Sequence, residues 1–249
     1  MLLDAQGRSG ADNMAADDAL LEEAAASGRA FLRLYRWSPP CLSFGRHEPA
    51  ATRYDRAAIA RLGIDVVRRP TGGRAVWHEH ELTYAVAAPV CAFGSAGLRA
   101  SCRAVHERLA VALRSLGADT RLAANSPTVR LSDGKAGCFA SPVGGEVLIG
   151  DRKVVGSAQV RRGTAFLQHG SILLGGSQDV VNQVSRSPGA GDRATTLSAA
   201  LGRPVRFDEV ADAVARAWGD FLAPSSPVPL ASLGAGSSFF ADPAWTWRR

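Results

Sequence analysis

Apolar positions recur along the chain with two periods. From Asp12 the stretch DNMAADDALLEEAAASG opens on an Asp or Asn, carries acids in its early turns and alanines in its interior, and closes on Gly28. That is the pattern of a capped helix ending near Ser27. AFLRLYRW (30–37) alternates with period two and predicts a strand, which Pro39 and Pro40 break before a short strand in CLSFG. YDRAAIARLG predicts a helix stopped by Gly63, and IDVVRR a strand leading straight into the double glycine at 72 and 73. After Pro89, GLRASCRAVHERLAVALRSLG spaces its apolar residues for a long amphipathic helix ending at Gly117. EVLIG, RKVVGSAQVRR and TAFLQHGSILL read as a strand meander, and helices follow over about 195–201 and 207–221. Residues 125–145 show neither period and are rich in Ser, Pro, Gly and Asp, a long loop of the kind that is usually functional or disordered. The elements predict an α+β domain, a mainly antiparallel mixed sheet flanked by helices, with a turn-rich aromatic tail over 226–249.

Composition narrows the class. A chain of 249 residues, 46% hydrophobic and 21% charged with both signs intermixed, is expected to be a soluble globular protein. No apolar run approaches the roughly 18–20 residues of a membrane span, and the start MLLDAQGRSGADN lacks a secretory pattern. The expected location is the cytoplasm. Four cysteines, at 41, 91, 102 and 138, show no C-x-x-C spacing, which argues against zinc and structural disulfides. A net charge of +6 favours acidic partners. Nucleic acid would satisfy it, but the basic residues are scattered without interleaved aromatics; an acidic carrier protein satisfies the same charge.

Three segments could carry chemistry. In RRPTGGRAVWH, Gly72 and Gly73 would let the backbone approach a ligand while Arg68, Arg69 and Arg74 neutralise it, or the stretch is a tight hairpin with surface arginines. In GCFASP, Cys138 is either a nucleophile, given a cation such as Lys135 or Lys153 nearby, or a small buried filler. The filler reading is applied to Cys41, Cys91 and Cys102. In GDRKVVGSAQVRRGTAFLQHGSILL, the small residues Gly156, Ser157 and Ala158 suggest close packing against the strand backbone. Lys153 then points into a cleft or into solvent, and His78 and His169 are held by hydrogen bonds or act on protons.

Taken in order, NMAADDALL, SFGRHEP, RRPTGGRAVWHEHELTYAV and GDRKVVGSAQVRRGTAFLQHGSILL resemble the lipoate-protein ligase and octanoyltransferase superfamily, whose catalytic domain is similar to that of biotin protein ligases. The resemblance implies a biotin/lipoyl ligase-like catalytic domain over about 1–225. It also implies an acyl tunnel bounded by Arg69, Thr71, Gly72, Gly73 and Arg74, with Ala75, Val76, Trp77 and His78 as one wall. Gly156, Ser157, Ala158, His169 and Gly170 complete it. Where ligases of this family carry a third small residue this chain has Arg74, and where they carry an Arg-Asn-Asp element it has GKAGCFASP. That combination resembles the cysteine-dependent octanoyltransferases, with Cys138 as nucleophile and Lys153 as its partner. The implied reaction moves octanoyl from acyl carrier protein through a Cys138 thioester to a lysine of a lipoyl domain or the glycine-cleavage H protein, with no cofactor, metal, nucleic acid or membrane. The alternatives are a lipoate-protein ligase using ATP and magnesium, and a nonenzymatic acyl- or nucleic-acid-binding module.

Overall fold

A computed structural model of the chain describes residues 1–94, 97–124, 145–188, 194–219 and 237–248. Along it run β1 (Leu2–Arg8), α1 (Gly10–Ser27), β2 (Phe31–Trp37), β3 (Cys41–Phe44), α2 (Ala50–Arg53), α3 (Arg56–Arg61), β4 (Asp65–Arg68), β5 (Val76–His78) and β6 (Glu81–Pro89). Next come α4 (Leu98–Ser115), β7 (Thr120–Leu122), β8 (Val147–Ile149), β9 (Arg152–Lys153), β10 (Val155–Arg162) and β11 (Ala165–Leu173). The last are α5 (Asp179–Gln183), α6 (Leu197–Leu201), α7 (Phe207–Trp218), α8 (Ser237–Ala241) and α9 (Pro243–Thr246).

The central sheet has the order β1-β2-β6-β11-β10, antiparallel except for the β1–β2 pair. Its period-two strands are buried on both faces. Leu32 and Leu34 of β2, with Leu82, Tyr84 and Val86 of β6, meet α4 and α7; Phe31, Tyr35 and Trp37, with Ala85 and Ala87, meet α1. The expected mainly antiparallel α+β fold is therefore observed. Small sheets β4-β3-β5 and β7-β8-β9 flank it.

Four local expectations are corrected. Helix α1 starts before Asp12, because Ser9 caps it and accepts the Asp12 N–H; Asn13 and Asp17 are thereby freed to face the sheet. The stretch after β4 is not a tight hairpin, since β4 and β5 lie on opposite edges of β3, and Arg68 and Arg69 are buried. RKVVGSAQVRR is not one strand: it splits at Val154, so Lys153 pairs with β8 while Ser157 pairs with β11. The aromatic tail contains α8 and α9, which pack on α1 and β4, with Phe240 in the core under α1.

Candidate active site

The small residues of β10 lie opposite β11, with Ser157 facing Gly170 and Ala158 facing His169. A Cβ on Gly170 would stand 2.4 Å from the Gly156 carbonyl oxygen, so only glycine fits this approach. Beside that pair, between the central sheet and β5, opens a cavity with an empty volume of about 330 Å³. Its apolar lining comes from Met14, Tyr35, Trp37 and Val76; its polar lining comes from Arg69, His78, Thr83, His169 and Ser171, together with Gly156, Ser157, Ala158 and Gly170. Strand alternation decides which residues of β5 take part. Val76 and His78 face the cavity, whereas Trp77 lines a separate groove and Ala75 packs in the core of the small sheet.

Each cavity histidine is bound at both ring nitrogens. His169 Nδ1 lies 2.9 Å from Asp17 and its Nε2 lies 2.6 Å from the Thr71 hydroxyl. Asp17 is itself held by Arg33 at 2.9 Å and by the Tyr35 hydroxyl at 2.8 Å. As a carboxylate it can only accept, so a neutral His169 donates from Nδ1 and accepts from Thr71 at Nε2. His78 repeats the arrangement with Glu81 at 2.8 Å and the Ser43 hydroxyl at 2.6 Å. Burial lowers the His78 pKa, opposed by Glu81, and its ring stacks on Trp37 at 4.0 Å. Each ring is held at both nitrogens, which fixes its orientation in the wall.

Arg69 is an internal brace. Its guanidinium makes four hydrogen bonds, to the Ser43 carbonyl and hydroxyl and to the carbonyls of Gly72 and Arg74. The double glycine is thereby fixed from inside, not left to a surface cation. It is also pressed from outside, since a Cβ on Gly45 would stand 1.8 Å from the Gly73 carbonyl oxygen. Gly72 and Arg74 are half-buried and Gly73 is exposed with φ 92°.

A third array lies behind β10. Lys153 is buried and its Nζ donates to Glu146 at 2.5 Å. Nearby, His106 Nδ1 donates to the Gly145 carbonyl at 2.7 Å, and the Ser157 hydroxyl donates to His106 Nε2 at 2.8 Å while accepting from Tyr84 at 2.6 Å. Burial brings His106 down to about 4, and Lys153 adds to the lowering. Lys153 is thus buried and not a solvated surface residue, and it stays outside the cavity lining. Cys138 lies outside the described residues. The chain on either side of its segment is joined, with the Gly145 N–H on the Ala123 carbonyl at 2.9 Å and the Ala123 N–H on the Glu146 carbonyl at 2.7 Å. Of the other cysteines, Cys41 is buried and Cys102, pushed up to about 11 by burial and Glu146, remains a thiol. Cys91 is exposed in a turn after β6, so the buried-filler reading fails there.

Asp17, Ser43, Glu81, His106 and Glu146 were missed as site residues. Only Asp17 left a usable trace in the pattern: an acid on the same helical face as Met14, Leu20 and Leu21, where an acid must have a buried partner. Among the described residues no cluster of His, Cys, Asp and Glu could hold a metal ion, and no helix is long and apolar enough to cross a membrane.

Comparison with known proteins gives a consistent picture. The family model for the lipoyl protein ligase A/B catalytic domain matches residues 9–219. The chain is 44% identical over 168 residues to octanoyltransferase LipM of Carboxydothermus hydrogenoformans, a match covering 67% of this chain and 61% of that protein. It is 37% identical over 221 residues to octanoyltransferase LipM of Moorella thermoacetica, covering 83% and 80%. In fold it is similar to lipoate-protein ligase A bound with ATP, with a TM-score of 0.80 at 21% identity over 99% of this chain and 96% of that one.

Proposed function

The chain belongs to the lipoyl protein ligase A/B catalytic-domain family, and we propose that it is an octanoyltransferase of lipoate assembly working through a thioester on Cys138. The observation that carries the reading is the buried Lys153–Glu146 ion pair standing where the two ends of the Cys138 segment meet, behind a cavity with an apolar floor. Cys138 is seven residues ahead of Gly145, at most about 25 Å of extended chain. Helix α4 already fixes Gly145 through His106.

In the first half-reaction the Cys138 thiol gives up its proton and the thiolate attacks the thioester carbonyl of octanoyl carried by acyl carrier protein. The carrier's carbon–sulfur bond breaks, its thiolate leaves and takes up the proton that Cys138 lost, and a Cys138 thioester forms. In the second, a lysine amine of a lipoyl domain or of the glycine-cleavage H protein attacks that thioester. An amide forms, and Cys138 departs, the proton lost by the amine balancing the thiolate. The ammonium of Lys153, held by Glu146, favours the thiolate, and backbone N–H groups near Gly72 and Gly73 or near Gly156 and Ser157 meet the developing oxyanion. Burying the octanoyl tail stabilises the acyl-enzyme by roughly 5 kcal/mol at about 0.8 kcal/mol per methylene. ATP has no part in this sequence.

The test is incubation with octanoyl-acyl carrier protein, with and without an acceptor domain and with and without ATP and magnesium, followed by intact-protein mass spectrometry. The expected result is an ATP-independent octanoyl adduct on Cys138 that disappears when acceptor is added. Strict ATP dependence, or full activity of Cys138→Ser, overturns the reading.

A further inference from the structure

Arg68, fully buried at the end of β4, joins two segments that the acyl chemistry does not use. Its guanidinium donates to the carbonyls of Gly45, Arg46 and Glu48 on one side and of Trp245, Thr246 and Arg248 on the other. The C-terminal helices are seated in this way against the 45–48 turn. That turn touches the cavity loop, because the Arg46 N–H donates to the Thr71 carbonyl at 2.7 Å and the Thr71 hydroxyl holds cavity-lining His169.

One result is a collection of positive charge at the loop. The Arg248 guanidinium donates to the Arg46 carbonyl, and burial together with the Arg46 charge lowers its pKa. Arg56 stands over the Trp247 ring, 5.0 Å from its centroid. Arg56 is exposed, and Arg46 and Arg248 are half-exposed. Among the described residues no carboxylate lies within ion-pair distance of these three, whereas Arg8, Arg33, Arg53, Arg103, Arg121, Arg162 and Arg203 each have one. Like charges gathered without an acid repel one another, a cost that an anionic partner removes.

We propose that Arg46, Arg56 and Arg248 form the docking surface for the acidic carrier protein that delivers the acyl group. The inference rests on the acyl-transfer reading. It assigns the surface to the donor and not to the acceptor because the donor must hand over a hydrocarbon tail. On that reading the tail is housed in the cavity lined by Arg69 and His169, which the 45–48 turn adjoins through Thr71, whereas the acceptor needs only to present an amine to an acyl group already housed. Attraction at this surface acts mainly on encounter, so it governs kcat/KM at low salt.

The experiment compares the wild-type chain with Arg46→Glu/Arg56→Glu and with the milder Arg46→Gln/Arg56→Gln, using two donors: octanoyl-acyl carrier protein and octanoyl-pantetheine. Acylation of Cys138 and transfer to the acceptor are timed separately at rising salt. The charge-reversed protein is expected to lose about tenfold or more in kcat/KM toward the carrier-borne donor at low salt. That loss should shrink as salt is raised, be smaller for the glutamine pair, and be absent with octanoyl-pantetheine. Equal losses with both donors, no loss with the carrier, or a loss confined to the acceptor step overturns the inference. Failure of the wild-type chain to be acylated by either donor overturns the acyl-transfer reading itself, and a wild-type chain that is acylated separates the two failures.

Discussion

Replacing Arg68 by Met keeps most of the side-chain volume and removes a guanidinium that makes seven contacts of 2.7–3.2 Å to six carbonyls. A hydrogen bond to a charged group is worth about 1.5–3 kcal/mol net, and carbonyls left buried without a donor carry their own penalty. The gross sum is not the expected effect, because burial and the charge of Arg248 oppose it, pulling Arg68 down to about 10. Shared donors and partial rewetting of the C-terminal carbonyls reduce it further. An expected net loss of about 3 kcal/mol corresponds to a fall in Tm of roughly 6–12 °C for a chain of this size. Urea unfolding measures the loss directly, and limited proteolysis should cut the C-terminal helices earlier in the variant. The more searching measurement is a cycle with a chain lacking residues 237–249. If Arg68 holds those helices, the two changes overlap, and their sum exceeds the double variant by at least about 1 kcal/mol. Additivity, or an Arg68→Met protein with unchanged midpoint and protease pattern, would refute the latch.

Three shorter predictions concern the cavity and its supports. The pKa of buried His106 in the fold, about 4, lies below its ordinary 6.5, so the unfolded chain takes up the proton first. The neutral form's contribution is therefore intact above pH 6.5 and is lost as pH falls toward 4, a loss of about 3 kcal/mol. His106→Gln should flatten urea stability between pH 7 and pH 4.5 relative to the wild type; parallel slopes would contradict this. Gly45→Ala forces a methyl onto the Gly73 carbonyl oxygen. It should lower the Tm and raise KM for the acyl donor, whereas Gly72→Ala, with nothing within 4 Å of the added carbon, should not. Val76→Phe fills the cavity from β5 and should shift the acyl-chain preference toward shorter donors, read by competition between octanoyl and butanoyl thioesters; an unchanged ratio would remove Val76 from the acyl wall.

Much of the fold was legible because packing against neighbouring layers writes a period into the chain. AFLRLYRW and GLRASCRAVHERLAVALRSLG contain such a period, and they fold as β2 and α4. Parallel pairing left no comparable trace: β1 joins β2 through α1, and nothing in LLDAQGR says which neighbour it will find. The site was legible as a set of residues but not as a set of roles. Glycines and small residues mark candidate close approaches, so 72–73 and 156–158 could be located, although a Cβ on Gly72 would meet nothing within 4 Å. What a buried arginine or histidine is bonded to depends on groups distant in sequence. Arg69 reads as an anion ligand beside two glycines, but Ser43, 26 positions away, makes it a brace. His169 reads as ambiguous until Asp17, 152 positions away, claims its Nδ1.

On the proposed function, those distant partners are what let a cavity with so many polar groups take a hydrocarbon tail. A buried donor or acceptor that loses water without replacement costs on the order of 1–3 kcal/mol, which a few such groups would set against the whole gain from burying eight carbons. Here His169 is closed by Asp17 and Thr71, and His78 by Glu81 and Ser43. The hydroxyls of Thr83 and Ser171 turn to Glu81, and the Trp37 indole to Thr83. The polar lining is bonded to itself, so an alkyl chain placed there would break few protein hydrogen bonds. Neutral imidazoles suit this arrangement better than charged ones, and burial favours that form for His78 against the pull of Glu81. On the proposed function, the carboxylates that orient the rings also make the wall compatible with an apolar guest, although neither Asp17 nor Glu81 lines the cavity.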